Sequence, residues 1–184
     1  MSTQKAETNT DTDSDLDDFE GIVEPAEDEE SASAPLDHPD IPMIPPTIFA
    51  LFLIAGITLD WLVPINFGRA WGGIGLLMVA GGLGCIVWCQ KLFARAGTNI
   101  NPEKPTLSIV TDGPYKYSRN PIYLCFLVIY AGLGMLADAP VMLVLLGGLY
   151  YVLDTYVIQR EEAYLARKFG EEYSDYQDSV RRWV

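Results

Sequence analysis

Histidine and paired cysteine are almost absent from this sequence of 184 residues. The single histidine is His38, and Cys85, Cys89 and Cys125 form no Cys-x-x-Cys pair. Such residues supply most transition-metal sites, so no metal site is predicted. The three thiols lie in apolar runs, where cysteine packs as a small apolar side chain. The glycine-rich start of the second apolar run does not continue into the Gly-x-Gly-x-x-Gly fingerprint of a dinucleotide site.

Basic residues are almost missing from the first 44 residues, which hold 14 acidic residues and one lysine. This segment therefore carries the whole formal charge of −13, and the rest of the chain is balanced. Its charge and its few aromatic residues leave too little apolar area to offset the entropy of ordering. We predict a disordered acidic tail at 1–40 and a membrane domain at 41–184. The tail lacks the basic start of a secretory leader, and no nucleic-acid partner is expected.

Charged residues are also missing from long stretches of the membrane domain. The uncharged stretches are 41–59, 70–90, 120–137 and 139–159, the last interrupted only by Asp154. A helix of roughly 18 residues spans about 27 Å, close to the hydrocarbon thickness of a bilayer, and soluble helices would need polar faces. We predict an all-α integral membrane protein with four transmembrane helices, the first of them beginning near Pro46.

The positive charges of the membrane domain predict its orientation. Five bases lie between the second and third apolar stretches, namely Lys91, Arg95, Lys104, Lys116 and Arg119. The two opposite loops contain only Arg69. Because short cytoplasmic loops carry an excess of Lys and Arg, we expect both termini in the cytoplasm.

A polar segment, TDGPYKYSRNPIY at 111–123, separates two apolar stretches. Asp112-Gly113-Pro114 predicts a turn, and Pro121 suits the first turn of a helix. The aromatic, cationic and amide groups between them could line a pocket for a polar ligand. Tyrosines and a Lys/Arg pair at this depth are also typical of interfacial anchors, so both interpretations stay open.

Acidic residues near the end of the fourth stretch are the other candidates for chemistry. A carboxylate at Asp154 should face the bundle interior or a wet cavity, or link helices as a structural contact. Asp154 and Glu161 lie seven residues apart, on one face of a regular helix. The pair Glu161–Glu162 would, in isolation, fit a solvated helix surface. Beyond it, an apolar stripe from 165 to 183 predicts interfacial amphipathic helices that break at Gly170 and cap the polar segment.

The order GPYKYSRNPIYL, a short apolar hairpin, then REEAYLARKFGEEYSDY resembles isoprenylcysteine carboxyl methyltransferases and phospholipid methyltransferases, which are integral membrane enzymes. AGTNINPEKPT, at 96–106, is similar to the preceding loop of the bacterial branch. The resemblance covers roughly 46–183. It implies S-adenosylmethionine as cofactor, in a pocket on the cytosolic side. Carried over residue by residue, it implies these cofactor-binding positions: Tyr115, Arg119, Asn120, Pro121, Tyr123, Glu161 and Glu162.

The resemblance also limits the chemistry. The well-studied members of these families have histidine where this chain has Asn120, so no role that needs an ionisable imidazole is available here. Arg119 offers a bidentate fork for the cofactor's carboxylate. A carboxylate or thiolate acceptor needs no base, whereas an amine would require Glu161, Glu162 or Asp154.

The expected acceptor is amphiphilic or small: an isoprenylcysteine-like carboxylate, a lipid or a thiol. Two alternatives stay open. One is a membrane reductase of the sterol type that uses NADPH, and the other is a non-enzymatic membrane module whose acidic tail recruits a partner. The oligomeric state is left open.

Overall fold

The computed structural model describes residues 37–63, 65–66, 68–101 and 104–184. Within these residues it contains helices and turns and no strand, which confirms the all-helical prediction. The elements are α1 (Pro45–Leu62), α2 (Gly72–Arg95), α3 (Pro121–Ala137), α4 (Pro140–Val152), a π-helical segment (Leu153–Ile158), α5 (Gln159–Phe169) and α6 (Glu171–Ser179), with 3₁₀ turns at Arg69–Trp71 and Gly113–Lys116.

Three of these helices are long and apolar enough to cross a membrane. They are α1, α2 and the continuous 30-residue helix Pro140–Phe169, which joins α4, the π-helical segment and α5. The fourth apolar helix, α3, is shorter. At 1.5 Å per residue the 30-residue helix is about 45 Å long, beyond the roughly 30 Å of a hydrocarbon core. Its α5 end therefore projects out of the apolar region.

Prolines and one left-handed residue define the helix ends. Proline occupies the first turn of α1, α3 and α4, where its missing N–H costs no hydrogen bond. Asp138 ends α3 with a φ of 57°, a conformation that Asp tolerates better than most residues. Its carboxylate accepts the Gly68 N–H at 3.1 Å. The α3–α4 connection is thus a tight hairpin.

Glycines allow α2 and α3 to pack closely. A Cβ atom at Gly75 would lie 2.5 Å from the carbonyl oxygen of Gly132, and one at Gly82 would lie 2.5 Å from Cγ1 of Ile129. Neither position has room for a larger residue. Helix packing through small residues is the usual solution in membranes, where apolar side chains gain nothing by leaving lipid.

Helix α1 packs on α3 and α4. The fully buried Tyr130 of α3 donates a hydrogen bond to the carbonyl of Phe52 at 2.9 Å. The ring of Phe52 in turn lies against Gly148 of α4. A core of buried side chains, including Met142 and Leu149, fills the space between the three helices.

The fourth apolar helix differs from its prediction in register. It continues beyond the uncharged stretch to Phe169, and Gly170 breaks it with a φ of 55°, as predicted. The π-helical segment adds about one residue to a turn. As a result Asp154 and Glu162, eight residues apart, contact the same arginine, Arg182. The expected stacking of Asp154 with Glu161 is therefore wrong.

Residues 1–36 lie outside the described residues, so the disorder of the acidic tail stays a prediction. Two of the last four residues of the predicted tail, Asp37 and Asp40, contact α5. Asp37 accepts hydrogen bonds from Tyr164 and Lys168, and the Asp40 carbonyl accepts one from Arg160 at 2.8 Å. The hydrogen bond from Lys168 lowers the pKa of Asp37.

Candidate active site

A cavity of about 600 Å³ lies where α1, α2, α3 and α5 converge. Its apolar lining includes Ile86 of α2 together with Ile122 and Phe126 of α3. Its polar lining includes Glu161 and Glu162 of α5. The cavity thus has an apolar part between membrane helices and an acidic part where the α4–α5 helix leaves the apolar region.

The two adjacent glutamates have different partners. Tyr123 donates a hydrogen bond to Oε1 of Glu161 at 2.5 Å. Glu162 is 6% exposed and is held between two arginines. Arg119 approaches its Oε1 at 3.0 and 3.1 Å, and Arg182 approaches its Oε2 at 2.6 and 3.2 Å. Within the part of the chain that the structure describes, Glu161 therefore has one neutral donor, while Glu162 is held by two cations.

Arg119 connects the start of α3 to the C-terminal segment. Besides Glu162, its guanidinium donates to the carbonyls of Gln177 at 2.9 Å and Val180 at 3.2 Å. The main-chain N–H of Arg119 donates to the carbonyl of Arg181 at 2.9 Å. A cofactor carboxylate would have to share or replace these partners, which the sequence could not reveal.

The residues beside Arg119 bind the same segment. Both the hydroxyl of Ser118 and the side-chain amide of Asn120 donate to the carbonyl of Arg182, at 3.1 and 3.3 Å. Ser118 and Asn120 are themselves buried. The side chain of Asn120 therefore helps to hold the C-terminal segment against the start of α3.

The 3₁₀ turn of the polar segment is fixed from both sides. Gly113 adopts a φ of 62°, as the predicted turn requires, and a Cβ atom there would meet Leu92 at 2.8 Å. Tyr115 is buried against Phe93, with ring centroids 5.6 Å apart. Burial raises the pKa of Tyr176 to about 12, so its hydroxyl stays protonated and donates to the Tyr115 carbonyl at 2.7 Å. Helix α6 thus caps the polar segment, as predicted.

The loop between α2 and the polar segment forms another wall of the cavity. The hydroxyl of Thr98 accepts the N–H groups of Leu107 at 2.8 Å and Ser108 at 3.3 Å. The Asn99 amide donates to the carbonyl of Pro105 at 2.8 Å. These bonds fold the loop back on itself, so it can line a cavity without regular structure.

Most of the sequence-predicted site residues line this one cavity, namely Tyr115, Arg119, Asn120, Tyr123, Glu161 and Glu162. Pro121 begins α3 beside them but is not part of the lining. Asp154 is also outside the lining, since its carboxylate binds Arg182 and the Trp183 indole N–H. This geometry favours the structural link over a catalytic role for Asp154.

Sequence reasoning missed several other lining residues, including Gln90, Asn99, Ser108, Tyr164, Tyr173 and Tyr176. The two α6 tyrosines had a signal, because they belong to the C-terminal apolar stripe. Tyr164 had none. Its hydroxyl donates to the Asp37 carbonyl at 2.9 Å and accepts the Thr106 N–H at 3.3 Å, and both partners are distant in sequence.

The model of the phospholipid methyltransferase family matches residues 71–172, which include the polar segment and both glutamates. The chain belongs to this family. Its members are membrane methyltransferases, so the general kind of protein agrees with the resemblance in the sequence. The matched region runs from the start of α2 to the start of α6.

Curated relatives are more distant. The chain is 28% identical to the cobalt-zinc-cadmium resistance protein CzcN of Cupriavidus metallidurans over 111 residues, 60% of this chain and 45% of that protein. It is 31% identical to the nickel-cobalt-cadmium resistance protein NccN of Alcaligenes xylosoxydans over 90 residues, 49% of this chain and 38% of that protein. The chain thus spans less than half the length of these relatives. No solved structure is significantly similar to it.

The names of these relatives refer to metal resistance, which raises the question of whether this chain has metal ligands. Among the residues that the structure describes, no group of three or more His, Cys, Asp or Glu side chains could hold a metal ion. The cysteines of α2 and α3 are free thiols.

Proposed function

We propose that this protein is an S-adenosylmethionine-dependent methyltransferase of the membrane, acting on an amphiphilic or small acceptor. The observation that carries the proposal is the division of the cavity. Glu161 and Glu162 make one part acidic, whereas Ile86, Ile122 and Phe126 make the other part apolar. A cationic methyl donor and a partly apolar acceptor fit these two parts.

The residues present fit the cofactor in size and chemistry. A cavity of about 600 Å³ lies within the usual range for small-molecule sites. The Glu161 carboxylate complements the positive charges of S-adenosylmethionine, whereas Glu162 is already paired with two arginines. The rings of Phe93, Tyr115 and Tyr173 offer surfaces for a purine. When bound, S-adenosylmethionine would supply an electrophilic methyl group on a sulfonium.

The protein's own contribution is alignment and exclusion of water. An in-line displacement gains most from fixed geometry, and the network around Glu162 provides rigid walls. Carboxylate or thiolate acceptors need no base. With an amine, Glu161 is the better proton acceptor. Among the described residues its hydrogen-bond partner is the neutral Tyr123, whereas Glu162 is held by two arginines.

We further propose four membrane spans with both termini in the cytoplasm. With 17 residues, α3 is about 26 Å long, enough for a short span. Lys91 and Arg95 lie at the end of α2, and Lys104 and Lys116 lie between α2 and α3, which favours a cytoplasmic location for this side of the bundle. The acidic part of the cavity then faces the cytosol, and an amphiphilic acceptor would enter from the inner leaflet.

Transfer of a labelled methyl group from S-adenosylmethionine tests this function. Purified protein in nanodiscs would receive acceptors of three headgroup classes, carboxylate, amine and thiol, each with short and long chains. We expect labelling of one class and a preference for longer chains. NADPH oxidation without methyl transfer would support the reductase alternative. The absence of both reactions would support the non-enzymatic module.

A further inference from the structure

The C-terminal residues are bonded to the candidate site through side chains as well as main chain. Arg182 binds Oε2 of Glu162 at 2.6 Å through Nη2 and at 3.2 Å through Nε. Oε1 of the same carboxylate binds Arg119. Because each oxygen has its own guanidinium, both the position and the rotation of the Glu162 carboxylate are set by the pair of arginines.

Arg182 is itself held from the opposite side. Its Nη1 lies 3.4 Å from both carboxylate oxygens of Asp154. Asp154 also accepts the indole N–H of Trp183 at 3.0 Å, and the Trp183 ring lies 5.0 Å from the ring of Tyr150, centroid to centroid. Asp154 thus fastens the last residues of the chain to the α4–α5 helix.

The π-helical segment makes this arrangement possible. In a regular helix, residues seven apart share a face, so Asp154 would align with Glu161. The wider turn at 153–158 instead brings Asp154 and Glu162 to the same guanidinium. Local π-helical turns often occur at functional sites. Here the turn places one glutamate in the arginine pair and leaves Glu161 with Tyr123.

We propose that Arg182 is a positioning residue for the cofactor site, and that Asp154 acts only by holding Arg182. Neither side chain lines the cavity. Their effect would pass through Glu162, which does line it and is almost fully buried. The inference rests on the proposed function, in which Glu162 faces the bound cofactor. It assigns a role to the last residues of the chain, beyond the matched family region.

Equilibrium binding of S-adenosylmethionine to the full-length protein in nanodiscs tests this role. We expect Arg182→Gln to raise the Kd about 10-fold, because Glu162 loses one of its two charged partners and Arg182, the partner that is lost, is partly exposed. Arg182→Lys should recover most of the affinity, and Arg167→Gln, an exposed arginine of α5, should bind as the wild type does. In turnover, KM for S-adenosylmethionine should rise with kcat nearly unchanged.

A double mutant separates positioning from general stability. Asp154→Asn alone should weaken binding severalfold but should have no further effect in the Arg182→Gln protein, since Asp154 would act through Arg182. Unchanged affinity in folded Arg182→Gln would overturn the inference and leave the proposed function intact. If Arg182→Gln does not fold, unchanged affinity in Asp154→Asn is the overturning result. Absence of binding by the wild type would overturn both.

Discussion

Arg119 and Arg160 offer a matched test of buried and exposed charge. The side chains of Arg119 and Glu162 are 12% and 8% exposed, and Arg119 also binds two main-chain carbonyls. Removing one partner of a buried ion pair costs about 3–5 kcal/mol. Since Arg182 still binds Glu162 in the variant, we expect Arg119→Gln to lower the free energy of unfolding by about 3 kcal/mol, the low end of that range.

The control is Arg160→Gln. Arg160 and Asp40 lie 3.8 Å apart and are 44% and 86% exposed, so their pair should contribute at most about 1 kcal/mol. For a chain of this size about 3 kcal/mol corresponds to a fall in Tm of roughly 6–12 °C. Thermal unfolding in detergent, followed by circular dichroism, gives both values. Equal Tm values for the two variants would refute the argument that Arg119 fastens the C-terminal segment.

Three further predictions concern packing, the N-terminus and the acceptor. Gly82→Ala should lower the free energy of unfolding by about 1–3 kcal/mol through overpacking against Ile129. Gly84→Ala should leave it unchanged, because no atom lies within 4 Å of a Cβ at that position. Equal free energies of unfolding for the two variants in denaturant titration would contradict the packing argument. Removal of residues 1–36 should leave the Tm and cofactor affinity unchanged. Removal of 1–40 should lower the Tm, because α5 then loses the contacts of Asp37 and Asp40. Equal Tm values for the two truncations would show that these contacts do not stabilise the protein. Each methylene added to a competent acceptor should raise kcat/KM up to about fourfold, the equivalent of roughly 0.8 kcal/mol, until the apolar part of the cavity is filled; a flat series would exclude apolar recognition of the chain.

The helices could be predicted because their signals are local. Runs without charge set the apolar helices to within a few residues, and Pro121 and Gly170 begin and break helices where their backbone preferences require. The polar segment and the glutamates could be predicted as a group because their residue types match a family motif. Their convergence on one cavity follows from contacts between α5 and the start of α3, which join Glu161 to Tyr123 and Glu162 to Arg119.

The contacts of the C-terminal segment could not be predicted, because they join residues 20 to 64 positions apart. Arg182 resembles any exposed base in sequence, and its partner Glu162 lies 20 residues earlier. The π-helical segment has no sequence signature, so the prediction that Asp154 shares a helix face with Glu161 was wrong. The role of Arg119 could be predicted only in part. It donates to main-chain carbonyls of α6 and of the residue that follows it, and a sequence motif does not record which carbonyl a side chain will bind.

Binding of S-adenosylmethionine, measured against NADPH on the detergent-purified full-length protein, tests the central claim most directly. The account predicts saturable binding of S-adenosylmethionine, weakened by Glu161→Gln. That substitution replaces a carboxylate of the cavity with a neutral amide, which keeps an oxygen that can accept the Tyr123 hydrogen bond. Binding of NADPH in place of S-adenosylmethionine, or of neither, would contradict it.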